Sequence, residues 1–199
     1  MLVSGVMLLV LAPLFIVIAI VIRLDLDGPV FYRGQRAAKD SGVFYIFKFR
    51  SMVVDAEQKG GYSTAIDDHR FTKVGRFIRR FKIDELPQFI NVLIGDMSLV
   101  GPRPQVTYYT DQYTEDEKLI LTVRPGITDL ASIYFIDMDS TLGSGDVDEK
   151  YQTEIEPVKN KLRLQYVTQM SFVLDMKIFA STFFRLLGIA NFPRIKFDL

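Results

Sequence analysis

KIDELPQFINVLIGDMSLVGPRP, residues 82–104, sets two adjacent acids, Asp84 and Glu85, against Pro87 just as an apolar helical pattern begins. Leu86, Phe89, Ile90, Leu93 and Ile94 recur at helical spacing and Gly95 supplies the stop, so the stretch reads as a short helix closed by a turn. Pro87 falls in the first turn, where its missing N–H costs nothing. Both acids then stand near free backbone N–H groups at the positive end of the helix dipole, which predicts that both stay ionised. Two readings are open: an ordinary acidic cap, or a pair of functional carboxylates. Neighbouring carboxylates repel unless cations share the site. Arg79, Arg80, Lys82 and Arg103 are the close candidates, and Mg²⁺, which binds through one or two carboxylates and substrate phosphates, is another. In GPRP, residues 101–104, two prolines hold Arg103 either as a fork for phosphate or as an exposed turn arginine.

Working toward the N-terminus, FTKVGRFIRRFK (residues 71–82) has an apolar stripe of Val74, Phe77, Ile78 and Phe81 beside dense positive charge, a pattern of an interfacial or core-facing helix. Residues 53–68 are polar and interrupted by glycine, reading as a short helix end and a loop. The stretch from Leu24 to Met52 reads as a β-hairpin around Lys39–Gly42. Alternation in its second arm puts Phe44, Ile46, Lys48 and Arg50 on one face, so that Lys48 and Arg50 could meet one anion together. Met1 to Ile22 carries no charge. As a helix rising about 1.5 Å per residue it is long enough for a hydrocarbon layer of about 30 Å. Pro13 should break or bend it near mid-depth, so a spanning helix and a re-entrant one both remain open. Arg23, Arg33, Arg36 and Lys39 follow the apolar run and none precedes it, which places the rest of the chain in the cytoplasm.

Toward the C-terminus, TEDEKLILTVRPGITDLASIYF reads as an acid-capped helix, a turn at Arg124-Pro125-Gly126 and an apolar run. An acidic loop and a helix follow, and the last apolar stretch, residues 171–192, is amphipathic because Asp175, Lys177 and Arg185 interrupt it. With 199 residues, one domain plus an appendage is expected. Lys plus Arg and Asp plus Glu both total 24, which argues against a field that recruits nucleic acid. Cysteine is absent and His69 is the single histidine, excluding thiolate, Cys-zinc and two-histidine chemistry. His69 itself reads as a solvated loop residue. Any acid–base or covalent work therefore falls to carboxylates, lysine or hydroxyls.

FYRGQRAAKDSGVFYIFKFRSM, HRFTKVGRFIRRFKIDELPQFINVLIGDMSLVGPRP and VRPGIT together resemble the bacterial sugar transferase family, the monotopic phosphoglycosyl transferases, over roughly residues 8–187. The resemblance implies an enzyme at the cytoplasmic face of the bacterial plasma membrane. It would pass a phosphosugar from a UDP-sugar to polyprenol (undecaprenyl) phosphate, release UMP and initiate a cell-surface glycan. It implies Asp84 as nucleophile, Glu85 with Asp84 at a Mg²⁺ ion, and Lys48, Arg79 and Arg103 at phosphates. It also implies a re-entrant helix broken at Pro13. The expected fold is α+β: a mostly helical single domain with a small β-hairpin and that re-entrant membrane helix, residues 1–23 forming the membrane element and 24–199 the catalytic domain. Some positions depart from the family pattern. Ile136 stands where an arginine is usual, which points to altered donor preference, weaker activity or replacement by Arg124; Ala12 stands for serine and Ala38 for glycine, and the chain starts at MLVSG without a short basic lead. The alternatives are a membrane-anchored scaffold without catalysis and a nucleotide-sugar hydrolase.

Overall fold

The apolar N-terminal run forms helix α1 (Leu2–Asp25), and an 18-residue window of it has a mean hydropathy of 3.1 with 11% of that window buried. A core helix of that hydropathy would be covered by protein; α1 is long and apolar enough to cross a membrane. The helix continues through Pro13, so the expected break is not seen as a helix end; Pro13 only forfeits the bond to the Leu9 carbonyl one turn back. Its C-terminal half is tied down: Ile18 and Ile22 pack with Phe49 and Ile78, and the rings of Phe15 and Phe49 meet edge-on at 5.0 Å. A computed structural model describes residues 1–25, 27–56, 68–135, 147–186, 188, 189, 195 and 197, and the fold is mostly helical α+β with two small sheets. Position 136 and residues 57–67 lie outside the described residues.

The hairpin is present. Strands β1 (Phe31–Ala37) and β2 (Val43–Phe49) pair antiparallel with Tyr32 opposite Lys48, around a turn in which Asp40 and Ser41 take left-handed φ of 56° and 58°. Phe44 and Ile46 pack on Val92 and Met97 as the alternation requires. The pairing of Lys48 with Arg50 does not hold. The strand ends at Phe49, the Arg50 N–H turns to the Val30 carbonyl at 2.9 Å, and the buried guanidinium Nη1 lies by Gly28.

Helix α2 (Lys73–Arg80) is capped by Thr72, whose Oγ1 accepts the Gly75 N–H at 2.9 Å. A Cβ at Gly75 would sit 1.8 Å from the Ser51 carbonyl oxygen, so glycine is what lets α2 lie against the chain after the hairpin. Its apolar stripe divides: Ile78 is buried, whereas Phe77 and Phe81 are 60% and 55% exposed with rings 5.0 Å apart. Helix α3 (Gln88–Ile94) ends on Gly95 at φ 94°, as the sequence predicts. Its burial is inverted, however. Gln88, Asn91 and Val92 face inward, while Leu93 and Ile94 are 39% and 59% exposed.

Asn91 joins α3 to the hairpin. Its Oδ1 accepts the Phe47 N–H at 2.8 Å and its Nδ2 donates to the Tyr45 carbonyl at 2.9 Å. Asn91→Ala strips partners from two backbone groups and is expected to cost about 3 kcal/mol, read as a lowered urea midpoint.

A second sheet, not foreseen in the sequence, pairs β3 (Ser98–Val100) with β4 (Gly126–Thr128) in parallel. Between them lie α4 (Thr107–Thr110) and a 3₁₀ turn, Glu117–Thr122. That turn starts with a reciprocal cap between Thr114 and Glu117, so the expected acidic start is present on a tighter helix. After β4 come α5 (Leu130–Tyr134), α6 (Val147–Lys150), a π-helical turn Tyr151–Ile155, α7 (Glu156–Gln169) and α8 (Phe172–Leu186). Leu130, Ile133, Leu162 and Ile178 close the core between α5, α7 and α8, while Phe172, Val173 and Met176 of α8 face outward.

Candidate active site

After α2 the chain reverses at Lys82, which has a left-handed φ of 56°. A lysine in that region carries a cost of about 1 kcal/mol, and such costs gather at functional sites. The reversal feeds a 3₁₀ turn, Ile83–Glu85, ahead of Pro87 and α3. The two acids therefore project from this turn, not from the first turn of α3.

Arg103 is set by two glycines. A Cβ at Gly101 would lie 2.6 Å from the Arg124 carbonyl oxygen, and one at Gly126 would lie 2.2 Å from the Gly101 nitrogen. Only glycine lets the GPRP and RPGIT stretches meet backbone to backbone. The Arg103 N–H then donates to Asp129 Oδ2 at 3.0 Å, and its Nη1 donates to the Ile127 carbonyl at 3.1 Å. Asp129 is fully buried and also caps α5, its Oδ1 accepting the Ser132 N–H at 2.6 Å.

Glu85 is the hub of the site. Its Oε1 accepts from Lys48 Nζ at 3.0 Å and from Arg103 Nη2. Burial pushes its carboxyl up, but the charges of Arg103 and Lys48 outweigh burial and hold it well below the usual range. Asp84 behaves oppositely. It is 3% exposed, its Oδ1 has no hydrogen-bond partner among the described residues, and burial, followed by the charge of Glu85, raises its pKa despite Lys48 and Arg79. Glu85 is thus held in the ionised form as expected, whereas burial, with no direct partner on Oδ1 among the described residues, disfavours the ionised form of Asp84. Burial likewise pulls Lys48 down, although Glu85 works against this.

These groups line a cavity of about 430 Å³, within the usual range for small-molecule sites. Six basic side chains, Lys48, Arg79, Lys82, Arg103, Lys159 and Arg163, line it against three carboxylates, Asp84, Glu85 and Asp129. The surplus of positive charge suits a polyanion. Met7 of α1, Phe89 of α3 and Phe179 and Phe183 of α8 give it an apolar side.

Of the expected site residues, the fold brings Asp84, Glu85, Lys48, Arg79 and Arg103 to this one cavity. The guanidinium of Arg79 lies 4.9 Å from the Phe71 ring centre. Arg124 is not brought in: it is exposed and absent from the lining, its backbone carbonyl packing on Gly101 instead. Pro13 is exposed on α1, away from the cavity, and His69 is exposed as expected. The arginine-to-isoleucine departure at 136 falls outside the described residues. Sequence reasoning missed Asp129, Lys159 and Arg163. A signal existed: Glu156, Lys159, Asn160 and Arg163 recur at i, i+3, i+4 and i+7, one face of α7, and all four are buried.

A Mg²⁺ ion can be tested against this donor set. Among the described residues no cluster of three or more His, Cys, Asp or Glu exists. Mg²⁺, however, commonly takes one or two carboxylates and completes its shell with water and phosphate. The unpartnered Asp84 Oδ1 is a hard oxygen donor of that kind, and no hydrogen bond engages Glu85 Oε2 among the described residues. The residues fit such an ion.

Comparison with known proteins places these residues in context. The family model described as "Bacterial sugar transferase" matches residues 1–188. The chain is 38% identical over 187 residues to the UDP-glucose:undecaprenyl-phosphate glucose-1-phosphate transferase of Escherichia coli (strain K12), covering 92% of this chain and 38% of that protein. It is 43% identical over 136 residues to the UDP-N-acetylgalactosamine-undecaprenyl-phosphate N-acetylgalactosaminephosphotransferase of Aeromonas hydrophila, covering 65% of this chain and 32% of that protein. To the "Uncharacterized sugar transferase EpsL" of Bacillus subtilis (strain 168) it is 38% identical over 162 residues, covering 81% of this chain and 72% of that protein. The chain therefore spans 38% and 32% of the length of the first two relatives and most of the third.

Proposed function

The chain belongs to the bacterial sugar transferase family, and from that premise we propose that it moves a sugar 1-phosphate from a UDP-sugar to undecaprenyl phosphate through a covalent intermediate on Asp84. The observation that carries this reading is one carboxylate oxygen, Asp84 Oδ1, buried without a partner in a cavity where basic groups outnumber acids.

In the first step an Asp84 oxygen attacks the sugar-bearing phosphorus. A bond forms between that oxygen and phosphorus, the bridging phosphoanhydride bond breaks, and UMP leaves with the electron pair. In the second step a phosphate oxygen of the lipid attacks the same phosphorus, the aspartyl–phosphorus bond breaks, and Asp84 returns as a carboxylate. Splitting the transfer in two lets a soluble donor and a lipid acceptor use the site in turn. Lys48 and Arg103 are held by Glu85, so they are already aimed when charge develops on the phosphoryl oxygens. Arg79 and Lys82 add positive charge at the same wall. Asp84 and Glu85 would hold Mg²⁺, which when bound neutralises phosphate charge and favours the ionised form of Asp84.

Residues 1–23 serve as the membrane element and 24–199 as the catalytic domain at the cytoplasmic face of the plasma membrane. Support for this comes from the mostly uncovered α1, from the exposed apolar residues Phe77, Phe81, Ile94 and Phe172, and from the basic residues Arg23, Arg33, Arg36 and Lys39 that follow the apolar run. We take α1 to be re-entrant at Pro13, entering and leaving by the cytoplasmic side. The relatives' names carry glucose and N-acetylgalactosamine, and the donor sugar of this chain is left open.

Purified protein in lipid nanodiscs, given Mg²⁺ and a panel of UDP-sugars, is expected to release UMP catalytically only when undecaprenyl phosphate is present. Continued UMP release without acceptor would make it a hydrolase, and no release from any donor would leave an anchored scaffold.

A further inference from the structure

A second set of polar groups reaches the same cavity from α5 and α7: Ser132, Lys159 and Arg163. Asp129 connects it to the first. That carboxylate accepts the Arg103 N–H at 3.0 Å and stands 4.0 Å from Arg163 Nε.

Each member has capacity left over. Among the described residues, Ser132 Oγ is buried with no hydrogen-bond partner, and so is Arg163 Nε. The guanidinium cannot swing away to find one, because its Nη1 donates to Asn160 Oδ1 at 2.7 Å and to Glu156 Oε1 at 2.9 Å. Lys159 is 8% exposed; its Nζ donates to the Tyr151 hydroxyl at 3.3 Å and lies over the Tyr151 ring at 4.6 Å. Among the described residues no carboxylate reaches it within ion-pair distance. Burial, then the charge of Arg163, brings its pKa down to about 7, with Glu156 acting the other way. A buried cation without a counter-ion is costly, and this one forms part of a cavity wall. A hydroxyl and two cations around one open space match the oxygens of a phosphate group.

We propose that Ser132, Lys159 and Arg163 form a second phosphate-binding point, for a phosphate group other than the one Asp84 attacks. This rests on the transferase reading, in which two further phosphate groups visit the cavity: that of the nucleotide and that of the lipid acceptor. Both offer a phosphate monoester anion. The point keeps a second phosphate in place while the phosphorus of the first is attacked.

The test is equilibrium binding of UMP, and separately of undecaprenyl phosphate in micelles, to the wild-type chain and to Lys159→Met, Lys159→Arg and Ser132→Ala. Loss of one charged contact is expected to weaken one probe about tenfold in Lys159→Met, with Lys159→Arg within about threefold of wild type. Ser132→Ala removes an oxygen that has no protein partner, so its fold is not at stake; about threefold weaker binding of the same probe is expected. Weaker UMP binding assigns the point to the nucleotide, and weaker lipid binding assigns it to the acceptor. A lysine serving only the fold would lower the melting temperature when replaced, whereas Lys159→Met is expected to leave it level or raise it. Unchanged binding of both probes in Lys159→Met and Ser132→Ala overturns the proposal. Failure of the transferase reading is seen elsewhere, in the absence of UMP release by the wild-type chain, while the phosphate point stands or falls on binding alone.

Discussion

Asp84→Asn is expected to reduce transfer by at least about 10³-fold while leaving the protein folded and membrane-bound, since in the proposed mechanism loss of the covalent nucleophile removes the step itself. Asparagine has the same shape, so the cavity should survive. Stability should be level or higher. Burial raises the Asp84 pKa, which means that the ionised form is disfavoured in the fold and costs stability at neutral pH. Because its folded-state pKa lies above the unfolded one, that cost appears as pH rises through the unfolded value and beyond, and asparagine removes it. The paired readout is UMP release with a thermal melt at pH 7. A large loss of activity accompanied by a raised melting temperature would identify a site that gives up stability for function. A loss of both would point to a structural carboxylate.

Glu85→Gln is expected to act in the other direction on stability. It leaves Lys48 and Arg103 without the negative charge that both engage through a single oxygen, Oε1. Breaking a buried pair can cost several kcal/mol. The loss here is expected near about 2 kcal/mol, because the three side chains keep 18–31% exposure and solvent screens part of the repulsion. Activity is expected to fall about 10²-fold, since the two cations that the proposed mechanism sets against the phosphoryl group lose their common anchor. The sign of the pH dependence follows from the shift of Glu85. Its folded-state pKa is depressed, so its stabilisation is present above the unfolded value near 4.5 and is lost as pH falls toward the folded value. Stability curves of wild type and Glu85→Gln should therefore stay apart from neutral pH down to the unfolded value near 4.5 and converge only as pH falls further, as measured by urea unfolding on both sides of that value.

Much of this site was legible in the residue string, and the limits have a common physical origin. DELPQ, the hairpin carrying Lys48 and the proline-flanked Arg103 are local signals, written in spacing and turn chemistry, and the fold brings their side chains to one cavity. The parallel pairing of β3 with β4 was not legible. It joins three-residue segments far apart in the chain, and its requirement shows only as two glycines, Gly101 and Gly126, each explicable as a turn residue. Helix orientation was the larger failure. Spacing identifies a face but does not say which face turns inward, and the usual rule puts the apolar one inside. In α3 the inward residues are Gln88, Asn91 and Val92, and in α7 they include Glu156, Lys159, Asn160 and Arg163. α7 turns Lys159 and Arg163 toward the charged cavity, whereas α3 turns Asn91 toward the hairpin backbone and leaves Leu93 and Ile94 on the outside. A chain with an apolar environment on its outer side can do this without the penalty that water would exact. The raised pKa of Asp84 was not legible for a related reason: dipole arguments assume a solvated helix start, and this carboxyl lies inside.

In the proposed reaction the sugar phosphate rests on Asp84 between donor and acceptor. The direct measurement is peptide mass spectrometry of the protein quenched after exposure to its UDP-sugar and Mg²⁺ without acceptor. A sugar-phosphate mass on Asp84, discharged when undecaprenyl phosphate is added, is the predicted result. An unmodified Asp84 in an enzyme that has released a stoichiometric amount of UMP, or the same mass on another residue, would contradict it.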